Sequence, residues 1–152
     1  MQLRTILVPT DFSQAAEKAL SWALEMAARW DARVVLLHAL PPWEDPVRMK
    51  EAGVSLADFE ASLRADAEAR AQELLAKTDQ QGVTIQTCIL VGLPNTTICH
   101  VAEQEQADLI IMGSHGRTGL AHVLLGSVAE NTVRYAPCSV LVVRPEPSGQ
   151  PV

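Results

Sequence analysis

Basic charge is scarce in this chain. Lys18, Lys50 and Lys77 are its only lysines, and the formal net charge is −6. Nucleic-acid backbones and anionic membrane surfaces are recognised by clustered cations, so neither is expected as a partner. Long apolar runs are missing as well. The opening MQLRTILVPTDF has a short apolar run before Pro9, too short for a signal peptide and for a membrane span, and a cytoplasmic protein is expected. Cysteine is sparse: Cys88, Cys99 and Cys138 are odd in number and have no C-x-x-C spacing. That excludes a disulfide framework and a zinc site, and leaves reduced thiols expected to be buried.

Apolar residues are plentiful, at 48% of 152 residues, which suits one domain over residues 1–152 with a full core. Strand and helix patterns alternate along it, without internal repeats. Leu3–Val8 is an apolar run stopped by Pro9 and reads as a first strand. Ala15, Ala16, Ala19, Leu20, Ala23, Leu24 and Ala27 then recur at helical spacing, with Ser13 as the expected N-cap. Arg33–Leu40 is apolar on both faces, as in a covered parallel strand, and ends at His38 and Ala39. His38 reads as a strand-end histidine with a satisfied hydrogen bond.

The next stretch, about residues 41–55, begins with prolines and has no clear period, so it is expected as an exposed loop without an element. Leu56, Phe59, Leu63, Ala67, Leu74 and Leu75 mark a helix face running to about Gln80, with Gly82 as its stop. Val83–Val91 gives a third strand. Gly92-Leu93-Pro94 then opens a short helix carrying Ile98, Val101 and Ala102. Leu109–Met112 is a fourth strand, a helix follows from Ser127 to about Tyr135, and residues 137–143 form a fifth strand. The tail, residues 145–152, is expected to fray.

The chemistry concentrates between the fourth strand and that last helix. Gly113, Gly116, Gly119 and Gly126 crowd one strand exit. Glycine permits positive φ and removes the Cβ that would hold a ligand off the backbone. With the free amides and positive dipole end of the following helix, such a loop makes an anion site that needs no lysine. Ser127 could add a hydroxyl to that site. With Glu130 it also fits an S-x-x-E capping box, and the two roles are compatible. A P-loop is excluded because no lysine follows the glycines, and a dinucleotide fingerprint because the first strand exits through Pro9-Thr10-Asp11. Asp11 has two readings there, a carboxylate favouring the helix N-terminus or an acceptor for a ligand.

Gly113, Gly116, Gly126 and Ser127 match every fixed position of G-x2-G-x9-G-S/T, and the surrounding GSHGRTGL and LLGSVAENT are also familiar. In these residues the chain resembles the ATP-binding subgroup of the universal stress protein family, and the resemblance spans essentially the whole sequence. It implies a three-layer α/β/α fold with a five-stranded parallel sheet of order 3-2-1-4-5. The strand-one and strand-four exits, at Asp11 and Gly113, would then meet at a crevice.

The resemblance further implies an adenine nucleotide, ATP in the first place, with adenine and ribose near Pro9, Thr10, Asp11 and Ala39. The phosphates would lie on amides of Met112–Gly116 and Gly126–Val128, with His115 and Arg117 inside the loop. Magnesium, if it accompanies the triphosphate, would be held largely by phosphate and water. The implied role is a nucleotide-dependent stress-response regulator. Homodimerisation through residues 138–143 is expected because that apolar edge strand has no lysine or internal proline to block pairing. Two alternatives stay open. One is a slow ATPase or autophosphorylating enzyme, for which Asp11, His115 and Arg117 are the only candidates. The other is an interaction module, with an unidentified protein partner, whose pocket is empty or holds another adenylate.

Overall fold

The computed structural model describes residues 2–42, 46–116 and 125–145. Five strands make one parallel sheet: β1 Thr5–Pro9, β2 Arg33–Leu40, β3 Ile85–Val91, β4 Leu109–Gly113 and β5 Ser139–Val143. Their order is β3-β2-β1-β4-β5, as expected. The registers Ile6 with Val34, Ile6 with Leu109 and Gly113 with Val143 bring the C-terminal ends of β1 and β4 side by side.

Alternation along the strands sorts the core into two layers. Ile6, Val8, Val34, Leu36 and Ile111 point to one face. There they pack on Ala19, Leu20, Ala23 and Leu24 of α1 (Gln14–Trp30) and on Ala71 and Leu74 of α3 (Leu56–Lys77). Leu7, Val35, Leu37, Ile110 and Met112 point to the other, against Ile98, Val101 and Ala102 of α4 (Pro94–Gln104) and Ala129 of α5 (Ser127–Tyr135). The cores of β1, β2 and β4 are covered on both sides, which is why these runs are apolar without alternating with polar residues. No helix among the described residues is long and apolar enough to cross a membrane.

The segment expected to lack an element carries one. Pro46–Glu51 is a helix, α2, with no buried residue. A six-residue helix with no core face leaves no period to detect. Its ends are set locally, by Pro46 at the start and by Gly53 at φ +71° beyond the end. Gly53 N–H donates to Lys50 O and Val54 N–H to Met49 O, the paired bonds of a glycine-terminated helix. Trp43 and residues 146–152 lie outside the described residues.

α3 also stops earlier than expected, at Lys77 instead of about Gln80. Thr78 leaves the helix in an extended conformation, with its hydroxyl donating to Leu74 O. Gly82, expected as the stop, instead shares a tight turn with Gln81, both at positive φ, closed by Val83 N–H to Gln80 O. The three cysteines are free thiols and half-buried, not fully buried. Partial burial still pushes all three thiols up from their ordinary value.

Candidate functional site

A cavity of about 300 Å³ opens at the C-terminal ends of β1, β2 and β4. Among the residues proposed from sequence, Pro9, Thr10, Asp11, Ala39, Met112, Gly113, His115, Gly116, Gly126, Ser127 and Val128 all line it. Arg117 lies outside the described residues. Ser114, within the expected amide run, lines it too, and the cavity wall also includes Ala16, Leu37, His38, Pro94, Ile98 and Ala129, which the sequence reading did not assign to the site. Pro94 and Ile98 are the residues it could have reached. They open the helix that follows β3, so a 3-2-1-4-5 sheet carries them to this same end.

Each wall has a local cause. The β1 exit is a turn tied down by its own side chains: Thr10 Oγ1 accepts from Phe12 N–H, and Asp11 Oδ1 accepts from Ser13 N–H at 3.0 Å. Ser13 caps α1, its hydroxyl accepting from Ala16 N–H, as expected. Thr10 N–H donates to Leu37 O, and the imidazole of His38 reaches Thr10 O through Nδ1 at 2.8 Å. The expectation of a hydrogen-bonded strand-end histidine holds.

Glycine plays different parts at its three described positions around the cavity. A Cβ on Gly113 would come within 2.8 Å of Ala15 Cβ and 2.9 Å of Ala15 C, so its space belongs to α1. Gly113 thus lets the first turn of α1 pack on the end of β4, while also lining the cavity. A Cβ on Gly116 would lie 2.7 Å from Asp11 Oδ2, which brings together residues from opposite ends of the chain. A Cβ on Gly126 would lie 3.2 Å from Ser114 O, the carbonyl that accepts from Gly126 N–H at 2.7 Å.

Two further expectations change. Ser127 does not cap α5. Gly126 is the N-cap, no side chain caps the helix, and Ser127 is its first residue, exposed at the cavity rim. The capping box is lost because the chain enters the helix one residue earlier than the box requires. The amide cradle is also smaller than expected. Ser114 N–H is bound to Val143 O and Gly126 N–H to Ser114 O, so neither faces a ligand. Glu130 N–H is the first amide of α5 bonded back, to Gly126 O, so those of Ser127, Val128 and Ala129 have no intrahelical acceptor. The α4 start is similar: Leu93 is its N-cap without a side-chain bond, Pro94 has no N–H, and Thr97 N–H is the first bonded back. Two helices therefore direct uncapped N-termini to the end of the sheet where the cavity lies, a field that favours negative charge.

Part of the wall is apolar. Leu37, Ala39, Ile98 and Met112 line it, and they suit a flat aromatic ring. Ser114 is buried, and its hydroxyl lies 2.9 Å from His115 Nδ1, which fixes that imidazole at the rim.

Comparison with known proteins agrees with this arrangement. The model of the universal stress protein family matches residues 2–144. Universal stress protein MJ0577 of Methanocaldococcus jannaschii is 35% identical, over 93% of this chain and 94% of its own length. The solved structure of MJ0577 superposes with a TM-score of 0.79 at 32% identity, covering 97% of this chain and all of that one. Universal stress protein UspA from Lactobacillus plantarum gives 0.76 at 32% identity, covering 95% of this chain and 99% of its own. A universal stress protein crystallised in complex with cAMP gives 0.63 at 27% identity, covering 96% of this chain and all of that one. With its sheet order, its glycine-lined cavity and these relatives, the chain belongs to the universal stress protein family.

Proposed function

We propose that the cavity binds an adenine nucleotide, ATP in the first place, and that occupancy biases the conformation or partner choice of a stress-response regulator. The observation that carries this reading is the convergence of Asp11, Gly116 and the uncapped start of α5 on one cavity with an apolar wall. Adenine suits the wall of Leu37, Ala39, Ile98 and Met112, and the Asp11 carboxylate suits a ribose hydroxyl or a base N–H. The phosphates suit Gly116 and the first amides of α5, where the missing Cβ and the helix dipole both favour close approach of an anion. Each charge-assisted bond to phosphate contributes on the order of 1.5–3 kcal/mol, and several together offset the cost of desolvating the ligand. Magnesium would come with the triphosphate, held by phosphate and water. The family membership and the cAMP complex of one relative support a nucleotide in this cavity.

The reading extends to a homodimer through residues 138–143. β5 is an edge strand, and Val133 and Tyr135 on the neighbouring α5 are exposed. Monomer alone by light scattering at micromolar concentration would contradict that part. The nucleotide itself is tested by denaturing freshly purified protein and identifying what is released by mass spectrometry. Stoichiometric adenine nucleotide is expected, and release of a different ligand class would overturn the assignment.

A further inference from the structure

Phe12 stands at φ +61°, in the left-handed region, where a bulky side chain is an outlier. Such a conformation costs on the order of 1–3 kcal/mol and persists only where its surroundings over-determine it. Here they do. The Phe12 ring lies 4.7 Å from the His38 ring, and the guanidinium of Arg70, from α3, lies over the Phe12 ring at 5.9 Å from its centroid.

His38 is the connection between that strained residue and the cavity. Thr10 is held at both of its peptide groups by consecutive residues of β2: its N–H donates to Leu37 O, and its carbonyl receives His38 Nδ1. The Thr10 carbonyl belongs to the peptide that leads into Asp11, so the imidazole sets the plane of that peptide. The next bonds follow from it. Phe12 N–H reaches back to Thr10 Oγ1, and Ser13 N–H takes Asp11 Oδ1, which leaves Oδ2 on the side of Gly116.

We propose that His38 is a positioning residue for the nucleotide site, holding the Thr10–Asp11 turn in the strained form that presents the Asp11 carboxylate to the glycine side of the cavity. The inference rests on the nucleotide-binding reading. It also makes a chemical statement independent of any ligand. A carbonyl only accepts, so Nδ1 must carry the hydrogen, and the neutral imidazole is locked in the tautomer that is the minor one in water.

Two measurements test it. Long-range proton–nitrogen NMR of the ligand-free protein above the histidine titration range should show Nδ1 protonated and Nε2 unprotonated in His38; the reverse tautomer overturns the clamp. Calorimetric titration with ATP should then show His38→Ala about tenfold weaker than wild type, the scale of one lost hydrogen bond. His38→Asn, whose amide N–H falls near the position of Nδ1, should recover to within about threefold, and His38→Gln, whose amide falls near Nε2, should not. His38→Ala or His38→Gln binding as tightly as wild type would overturn the inference while leaving the functional reading intact. Should His38→Ala fail to fold, the Asn and Gln variants decide alone. If wild type itself binds no adenine nucleotide, the functional reading fails, and the tautomer decides the clamp separately.

Discussion

The two ends of the sheet handle their polar groups in opposite ways. At the end where strands begin, the protein supplies its own acceptors. Asp108 Oδ2 accepts from Arg4 N–H at 2.7 Å and from Thr5 N–H at 3.0 Å, and Arg33 spans to Thr5, Gln86 and Glu105, pairing with the Glu105 carboxylate at 2.9 Å. At the end where strands finish, α4 and α5 begin without side-chain caps, and glycine stands where a side chain would fill the space. One end is closed by internal bonds; at the other the turn into α1 is self-bonded and capped, while the starts of α4 and α5 are left uncapped, a field that favours an anion. The proposed site follows from that difference without reference to any catalytic group.

The glycines divide the open end further, and substitution separates their parts. Gly113→Val should have the largest effect on the fold. Its side chain would be driven into Ala15 and push α1 off β4, with a stability loss of about 3 kcal/mol in chemical denaturation. Gly116→Val should do the reverse, leaving stability close to wild type while lowering ATP affinity by more than tenfold, roughly 2 kcal/mol, because it meets Asp11 and the space a phosphate needs. Equal damage from both to folding would erase the distinction between a packing glycine and a ligand glycine. Asp11→Ala should weaken ATP binding by about 1–3 kcal/mol if the carboxylate holds the ligand, and by far less if it serves only its own turn.

The closed end gives the smallest change and one with a pH signature. Asp108→Ala should cost about 1 kcal/mol of stability at neutral pH, a modest value because the carboxylate is exposed. The amides of Arg4 and Thr5 hold the Asp108 carboxyl below its ordinary value. A depressed carboxyl stabilises the fold above its ordinary range, and that contribution is lost as pH falls through its folded value. The deficit of the variant should therefore shrink in acid. Nucleotide affinity should be unaffected.

Much of this was legible in the sequence where a pattern is local. The buried face of α1 is that of its alanines and leucines at helical spacing, and the Gly113, Gly116, Gly126, Ser127 spacing pointed to residues that line one cavity. Sheet order came from family resemblance, since crossover order has no local signature. What stayed hidden depends on neighbours distant in the chain. The reason for Gly113 is Ala15, the use of the Ser114 amide is Val143, and the part played by His38 is visible only beside Thr10 and Phe12. The α5 start misled for a different reason. Gly126 and Ser127 are adjacent candidates for one cap, and the extended backbone of Gly126 decided between them.

On the proposed function, an adenine nucleotide completes the open end of the sheet. Titration calorimetry of ATP into nucleotide-free wild-type protein tests it most directly. Saturable binding at one site per chain with micromolar or tighter affinity is the result expected. Absence of binding by protein shown to be folded would contradict it.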